Sequence, residues 1–304
     1  MGMPKISIVG VPMDLGADRR GVDMGPSALR YADLNKNLQG LGYDVKDLGD
    51  MDVIIPETHH FGDPKAKYLK EIAEACGRLA NMVLEIHEEG STPLVLGGDH
   101  SIAVGTVSGM AESFRRHGKK LGLMWFDAHA DFNTPEISPS GNVHGMPMAS
   151  IMGYGPVELT RIFGFAPKIQ PEHAVMIGIR EVDPEERLMV KKSGVRVFTM
   201  KEIDRRGIGS VMDEALSIVT KGADGYAVTL DADFLDPDES PGVATPVRGG
   251  ANYREAHLAM EMVADSTKMV SFEITEINPI LDAQNKTAHF GMELILSAFG
   301  KQIL

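Results

Sequence analysis

The sequence of 304 residues predicts an α/β protein in which a parallel sheet of roughly eight strands is covered by helices. The first observation behind this prediction is that short apolar runs alternate with amphipathic helical patterns along the whole chain. The second is that acidic and histidine side chains stand directly after several of the apolar runs. This pattern fits a doubly wound sheet or a TIM barrel, because both folds gather ligands at the carboxyl ends of their strands.

The predicted elements follow one another without an internal repeat, a low-complexity tract or a linker, so we expect one domain over residues 1–304. Short apolar runs predict the strands, at 6–9, 45–48, 93–96, 121–126, 174–179, 195–198, 226–230 and 269–277. Helical spacing predicts helices at 64–89, 102–117, 210–221, 252–265 and 287–299, with others after Pro26 and Pro184. A glycine-rich loop opens the segment 14–34, but it matches no phosphate-binding motif.

The composition argues against several classes of partner. The formal net charge is −13, whereas nucleic acids and anionic membranes attract a positive surface. A single cysteine, Cys76, allows no intramolecular disulfide and fits a reducing compartment. The amino terminus lacks the apolar segment of a signal peptide, and no uninterrupted apolar run approaches about eighteen residues. We therefore expect a cytoplasmic protein with no nucleic-acid or membrane partner.

The strand predicted at 121–126 ends in three potential ligands spaced two residues apart. Alternate side chains of an extended chain point to the same side, so Asp127, His129 and, if the extended form persists, Asp131 would face one point. Carboxylates this close repel one another, and their burial is costly unless a positive charge lies between them. A divalent cation is the simplest remedy, and the alternative is an acidic loop left in water.

Further ligands stand after three other predicted strands. The run at 226–230 ends in Asp231 and Asp233, which share one face. His100 leaves the strand at 93–96 through a pair of glycines, and Glu276 stands at the carboxyl end of 269–277. Two buried runs that each end in alternating aspartates are hard to explain as solvated turns.

Together these ligands indicate a pair of metal ions. Four aspartates and two histidines exceed what one tetrahedral zinc needs and include no thiolate. Mixed carboxylate and imidazole ligands suit two harder divalent ions, with Mn²⁺ favoured and Co²⁺, Fe²⁺, Ni²⁺ or Zn²⁺ as alternatives. Two ions about 3.5 Å apart can hold one hydroxide between them, which indicates metal-assisted hydrolysis. His144, in the long irregular loop 132–147, is near enough to act as a mobile acid or base, although such a histidine standing alone is usually a surface residue.

Five sequence motifs resemble those of the arginase family of ureohydrolases, in the same order. They are GGDHS at 97–101, DAHADFNTP at 127–135, SGNVHGMP at 140–147, DADFLDP at 231–237 and SFEITEINP at 271–279. The resemblance covers nearly the whole chain. It implies the three-layer αβα fold that this family shares with deacetylases, and hydrolysis of L-arginine to L-ornithine and urea with two Mn²⁺ per chain.

The resemblance also implies how the ligands divide between the two metal ions. One ion would be bound by His100, Asp127, Asp131 and Asp231, and the other by Asp127, His129, Asp231 and Asp233. A bridging hydroxide would attack the guanidinium carbon, and Asp131 would help to stabilise the tetrahedral intermediate. His144 would pass a proton to the leaving amine, a role that needs a near-neutral pKa, and Glu276 would pair with the guanidinium group.

At the amino-acid end of the substrate, the resemblance implies a second set of contacts. Asn133, Ser140 and Asn142 would bind the α-carboxylate. Asp183 would take the α-amino group, with Glu186 acting through water, and Thr245 would line the site. Glu273 departs from the aspartate that is usual in the last motif, and we expect only packing or indirect effects from it. The family also implies a homotrimer or homohexamer.

Three alternatives remain at this point. The nearest is a ureohydrolase for another guanidine compound, such as agmatine, guanidinobutyrate or formiminoglutamate. A single-zinc deacetylase of related fold is disfavoured by the six apparent ligands and by Glu276. A catalytically silent relative that acts as a binding or scaffold subunit is disfavoured by the intact ligands and by His144. Metal content would separate the last two from an enzyme of this type, which binds about two ions per chain where a deacetylase or a silent relative binds one or none.

Overall fold

A computed structural model of the chain describes residues 3–302. Within this range the strands are Lys5–Val11 (β1), Asp44–Asp50 (β2), Gly62–Asp63 (β3), Ala66–Lys67 (β4), Thr92–Gly97 (β5), Leu121–Phe126 (β6), Ala174–Ile179 (β7), Arg196–Thr199 (β8), Gly225–Asp231 (β9) and Met269–Thr275 (β10). The α-helices are Gly25–Tyr31 (α1), Leu34–Gly40 (α2), Leu69–Glu88 (α3), Ala103–Arg116 (α4), Pro147–Ile151 (α5), Val157–Thr160 (α6), Pro184–Ser193 (α7), Met200–Arg206 (α8), Ile208–Thr220 (α9), Tyr253–Asp265 (α10) and Lys286–Ala298 (α11).

Eight of the strands form one sheet in the order β2-β1-β5-β10-β9-β6-β7-β8. Every neighbouring pair in this sheet is parallel. The two outer strands, β2 and β8, do not pair with each other among the described residues, so the sheet is open. The predicted parallel eight-stranded sheet is thus confirmed, and the barrel alternative is excluded.

The sheet is the middle of three layers, because its side chains alternate between two apolar cores. On β6, Leu123 and Trp125 pack into one core, and Met124 and Phe126 pack into the other. Helices α3 and α4 cover the first core, while α9, α10 and α11 cover the second. All residues of β6 are buried, as expected for a parallel strand with helices on both faces.

The four central strands, β5, β10, β9 and β6, lie next to one another although they are far apart in the chain. Because these strands are parallel, their carboxyl ends meet at one edge of the sheet. The segments that follow these strand ends carry the predicted ligands. The fold therefore brings residues from four distant parts of the sequence into one place.

The helix predicted at 64–89 is wrong at its amino end. Residues 62–67 form a short hairpin of β3 and β4, and α3 begins at Leu69. The side chain of Asp63 accepts a hydrogen bond from the backbone N–H of Lys65, which closes the turn. Tyr68 has a φ of +53°, a left-handed conformation that separates the hairpin from the helix. The helical spacing of apolar residues begins only at Tyr68, so it carried no information about the hairpin.

Other differences are small. Helices α2, α5, α6 and α8 were not predicted. The strand predicted at 269–277 ends at Thr275, because Glu276 takes a left-handed φ of +63°. The remaining predicted strands and the helices 102–117, 210–221, 252–265 and 287–299 agree with the observed bounds to within two residues. None of the helices in residues 3–302 combines the length and apolarity needed to cross a bilayer.

Candidate active site

Two groups of potential metal ligands lie at the carboxyl edge of the central strands. In each group, the ligand atoms lie within 4.8 Å of one another. The first group is His100, Asp127 and Asp231, and the second is Asp127, His129 and Asp233. Because Asp127 belongs to both, the two groups share a carboxylate.

The first group centres on Nδ1 of His100. This nitrogen lies 3.1 Å from Oδ2 of Asp127 and 3.3 Å from Oδ2 of Asp231. Oδ2 of Asp131 lies 3.1 Å from the same nitrogen, so Asp131 joins this group. Nδ1 is buried and has no hydrogen-bond partner within residues 3–302. A buried imidazole nitrogen that faces three carboxylates is the arrangement expected of a metal ligand.

The second group centres on Nδ1 of His129. This atom lies 3.0 Å from Oδ2 of Asp233 and 3.6 Å from Oδ1 of Asp127. The backbone N–H of Ala128 donates to Oδ1 of Asp233, at 3.1 Å, and holds that carboxylate in place. His129 is more exposed than the aspartates around it, so this group faces the cavity described below.

Asp131 reaches the first group by a route that differs from the predicted one. The extended backbone does not continue through this residue, because its φ is +48°. This left-handed turn, rather than strand alternation, directs the carboxylate towards His100. The carbonyl oxygen of Asp131 accepts a hydrogen bond from the N–H of Ala149, at 3.2 Å. Left-handed non-glycine residues cost of order 1–3 kcal/mol and are found preferentially at functional sites.

The electrostatics of the cluster favour a cation. Burial, and then the charge of Asp127, raises the pKa of Asp131 to about 6. Burial, and then the charge of Asp233, holds the pKa of Asp231 well above its ordinary value. Burial lowers the pKa of His129, but the surrounding carboxylates raise it by more, and the net shift is upward. Four buried carboxylates and two imidazoles therefore match the donor set of two hard divalent ions.

Trp125 orients ligands of the first group and was not predicted to have this role. Its Nε1 donates to Oδ2 of Asp127, at 2.9 Å. Its ring stacks on the imidazole of His100, with centroids 4.1 Å apart and planes inclined by 19°. A tryptophan two residues before a buried aspartate, and hence on the same strand face, was the available signal.

Arg180 was also missed. Its Nη2 donates to the carbonyl oxygens of Asp233 and Val247, each at 2.7 Å. It thereby ties the segment after β9 to the loop that carries Thr245, whose hydroxyl donates to Oδ2 of Asp233 at 3.2 Å. No sequence pattern indicated these contacts, because their acceptors are main-chain atoms distant in the chain.

His144 and Glu276 form a pair beside the first group. Nδ1 of His144 lies 3.0 Å from Oε1 of Glu276, which also accepts from the backbone N–H of His100. Oε2 of Glu276 is buried and finds no hydrogen-bond partner in the described part of the chain. Burial lowers the pKa of His144, but Glu276 raises it by more, to about 9. This value is higher than the near-neutral one expected for a proton shuttle, and the Glu276 contact is the cause.

A cavity of about 170 Å³ lies over the two metal-ligand groups. Its lining includes His129, Asp131, Asp231 and His144. It also includes every residue that was predicted to contact the amino-acid end of a substrate, namely Asn133, Ser140, Asn142, Asp183, Glu186 and Thr245. Glu181 and Val182 line it as well and were not predicted. Glu276 is almost fully buried and reaches this region through its contact with His144.

The sequence model of the Arginase family matches residues 4–300 of the chain. An arginase from Brevibacillus brevis is 52% identical over 300 residues, which cover 98% of this chain and 99% of that protein. The solved structure of arginase from Bacillus caldovelox aligns with a TM-score of 0.95 at 49% identity, covering 99% of this chain and all of that one. The chain belongs to the arginase family.

Family membership identifies the chain as an enzyme, a hydrolase of the arginase type, and disfavours the deacetylase and silent-relative alternatives. The arginase family is metal-dependent, in agreement with the two ligand groups. The fold alone does not select a substrate. A formimidoylglutamase from Bacillus subtilis shares the fold, with a TM-score of 0.79 at 23% identity. The contacts within the cavity must therefore decide the substrate of this arginase-family enzyme.

On the far side of the cavity, Asn133 and Asp183 are held together. Nδ2 of Asn133 donates to Oδ2 of Asp183 at 3.0 Å, and Oδ1 of Asn133 is buried without a partner. Both oxygens of Glu186 accept backbone hydrogen bonds, from Phe132 at 2.7 Å and from Asp183 at 3.0 Å. Burial raises the pKa of Glu186 to about 7. Glu186 therefore orients Asp183 at the start of α7, in addition to lining the cavity.

Lys67 is a further residue of the site that was missed, because it lies in the segment predicted as a helix. Its ammonium group donates to Oδ1 of Asn142 at 2.9 Å and to Oδ1 of Asp18 at 2.7 Å. Since the oxygen of the Asn142 amide is occupied, its NH₂ group is the part left to bind an acceptor. Lys67 thus sets the direction of a cavity-lining amide.

Proposed function

We propose that this enzyme hydrolyses L-arginine to L-ornithine and urea with two Mn²⁺ ions per chain. The observation that carries the proposal is the cavity that joins two ligand groups sharing Asp127 to a set of amide, hydroxyl and carboxylate side chains. The two ligand groups suit hydrolysis of a guanidinium group, and the amide, hydroxyl and carboxylate side chains suit binding of an α-amino acid. The relatives named arginase at about half identity over their full length support the same substrate.

The two ions would share four aspartates and two histidines. One would be held by His100, Asp127, Asp131 and Asp231, and the other by Asp127, His129, Asp231 and Asp233. When bound, the ions would lower the pKa of a water molecule so that it attacks at neutral pH. A soft ligand is absent from this set, which favours Mn²⁺ over metals that prefer sulfur.

The guanidinium group would be oriented by Glu276. The unpaired Oε2 of this buried carboxylate is costly to leave without a partner, and a planar cation satisfies it. Asp131 would accept a hydrogen bond from the tetrahedral intermediate as the water adds to the guanidinium carbon. These two carboxylates come from different strand ends, so the substrate carbon would lie between them.

His144 would deliver a proton to the leaving amine. In the substrate-free enzyme, Glu276 raises the pKa of His144 to about 9. A guanidinium group that pairs with Glu276 would neutralise this influence and lower the pKa of His144. The imidazolium would then become a stronger acid when the substrate is in place, which suits a general acid.

The amino-acid end would be recognised by charge and by hydrogen-bond direction. Asn133, Ser140 and Asn142 would donate to the α-carboxylate, and Asp183 would accept from the α-amino group. Thr245 would complete the wall of the cavity. Agmatine has no carboxylate and guanidinobutyrate has no α-amino group, so each would leave part of this set unpaired. Assembly into a homotrimer or homohexamer, and a cytoplasmic location, belong to the same proposal.

The proposal is tested by urea release from the Mn²⁺-loaded enzyme, with L-arginine, agmatine and 4-guanidinobutyrate measured side by side. We expect a strong preference for L-arginine. A preference for either of the other compounds would assign the enzyme to another ureohydrolase activity. No urea from any of the three would contradict the proposed reaction.

Asp183→Ala tests the recognition of the α-amino group. We expect kcat/KM for L-arginine to fall by about tenfold or more, because a charge-assisted hydrogen bond is lost. The activity on 4-guanidinobutyrate should fall by less, since this compound has no α-amino group and is affected only through the lost hydrogen bond between Asp183 and Asn133. Equal losses on both compounds would remove Asp183 from the specificity role.

A further inference from the structure

A chain of buried hydrogen bonds begins at Nε2 of His100, the ring nitrogen that does not face Asp127, Asp131 and Asp231. Nε2 of His100 lies 2.9 Å from the hydroxyl of Thr229, and this hydroxyl donates to Oε1 of Glu273 at 2.8 Å. The hydroxyl of Thr106 donates to the other oxygen, Oε2, of Glu273. All four side chains are at least 98% buried, so water does not compete for these bonds.

The direction of these bonds follows from the number of hydrogens available. A threonine hydroxyl has one hydrogen, and a carboxylate only accepts. Since Thr229 donates its hydrogen to Glu273, its oxygen can only accept from His100. The proton of the neutral imidazole therefore lies on Nε2, and Nδ1 keeps the lone pair that faces the carboxylates.

We propose that Thr229 and Glu273 are positioning residues that keep the proton of His100 on Nε2 and direct its Nδ1 towards the metal-ligand group. The inference rests on the proposed function, because it takes His100 as a metal ligand. The stacked ring of Trp125 fixes the plane of the imidazole, but stacking does not decide which nitrogen carries the proton. The hydrogen bond to Thr229 determines which nitrogen carries it.

This role is an indirect effect of the kind expected of Glu273 from the sequence, and it gives that effect a specific path. Its side chain lies on β10 and reaches β9, the strand that carries Asp231 at its end. A buried carboxylate is costly unless its oxygens accept hydrogen bonds, and here they accept from Thr229 and Thr106. Hydrogen bonds of this kind to a ligating histidine usually contribute about 10–100-fold to metal affinity.

Thr229→Val and Thr106→Val form a matched pair for the test. Each replaces a buried threonine by a residue of similar shape, and each removes one hydrogen bond to Glu273. Of the two hydroxyls, that of Thr229 lies within hydrogen-bond distance of His100, at 2.9 Å, and that of Thr106 bonds to Glu273. Mn²⁺ binding to the metal-free proteins would be measured by titration calorimetry, with circular dichroism and thermal melting to check the fold.

We expect Thr229→Val to weaken binding of one of two Mn²⁺ ions by about 10–100-fold. Thr106→Val should stay within about threefold of the unmodified enzyme, and Thr229→Ser, which keeps the hydroxyl, should also stay within about threefold. Unchanged affinity in Thr229→Val would overturn the inference. An equal loss in Thr106→Val would overturn it too, since the effect would then arise from Glu273 without the link to His100.

Two further comparisons keep the result decisive. If Thr229→Val does not fold, Thr229→Ala and Thr229→Ser replace it, and equal affinities in these two would overturn the inference. If the unmodified enzyme binds no Mn²⁺, or only one ion, the proposed function fails and this inference fails with it. Failure of the inference alone appears when the unmodified enzyme binds two ions and Thr229→Val either keeps the same affinity or loses no more affinity than Thr106→Val.

Discussion

At the residue scale, the site depends on hydrogen bonds that decide which atom of each side chain faces the cavity. Lys67 occupies the oxygen of the Asn142 amide, and Trp125 holds one oxygen of Asp127. The contact of Lys67 is not visible in the spacing of the sequence, because Lys67 and Asn142 lie far apart in the chain. Trp125 stands two residues before Asp127 on the same strand face, and that spacing was the available signal for the second contact. Alternation at a strand end was enough to predict that Asp127 and His129 share one face and that Asp231 and Asp233 share another, since it needs no distant partner. Asp131 reaches its place through a left-handed turn, which alternation does not predict.

Lys67→Met tests the orientation of Asn142. We expect KM for L-arginine to rise about five- to tenfold, because the amide loses the charge-assisted bond that directs its NH₂ group to the carboxylate. The weak reaction with agmatine should not change, since agmatine has no carboxylate. Lys65→Met, at an exposed neighbouring position, is the control. Equal effects of Lys67→Met on both substrates would contradict this role.

The pair of His144 and Glu276 predicts how stability depends on pH in the metal-free protein. The pKa of His144 is raised to about 9 from an ordinary value of 6.5, so its contribution is complete below pH 6.5 and is lost as pH rises through 9. The free energy of unfolding should therefore fall over this interval more steeply in the unmodified protein than in Glu276→Gln. Denaturant unfolding at three pH values measures both slopes. Parallel slopes would show that Glu276 does not raise this pKa.

At the element scale, the hairpin of β3 and β4 supports the loop that carries Ser140 and Asn142. The backbone N–H of Lys67 donates to the carbonyl of Gly141 at 2.9 Å. A Cβ atom on Gly141 would lie 1.9 Å from the carbonyl oxygen of Pro64. The hairpin was not predicted from the sequence, because two strands of two residues each have no periodicity to detect.

Gly141→Ala tests this support. Gly141 has a φ of +71° and lies against Pro64, so the substitution adds strain and moves the loop from the hairpin. We expect a loss of about 1–3 kcal/mol in the free energy of unfolding and a higher KM for L-arginine. Mn²⁺ affinity should stay unchanged, because the metal ligands lie on other segments.

Gly118→Ala is the matched control, since Gly118 also has a left-handed φ, of +65°, but no atom within 4 Å of the added Cβ. It should lose about 1 kcal/mol of stability and no affinity for L-arginine. If both variants have the same KM for L-arginine, the hairpin does not support the binding loop.

At the scale of the whole molecule, the order of the central strands creates the site. Local patterns place His100, Asp127, Asp231 and Glu276 after four strands, but they do not state that β5, β10, β9 and β6 are neighbours. That order depends on how the helices pack on both faces of the sheet. Pattern alone also left a barrel open, and the open sheet with its two cores decided between the architectures.

The charge of the whole molecule explains why its stability should depend on bound metal. The chain has a formal net charge of −13, and four of its aspartates are buried together around two histidines. Bound cations offset this repulsion in the folded state and are lost on unfolding, so they stabilise the native protein by mass action. We propose that the two bound ions act together on L-arginine.

The most direct test is a titration of the metal-free enzyme with Mn²⁺, in which bound metal, urea release from L-arginine and melting temperature are followed together. We predict that urea release and melting temperature both rise until about two ions are bound per chain and then level off. Full activity at one bound ion, or activity that does not follow the bound metal, would contradict the account.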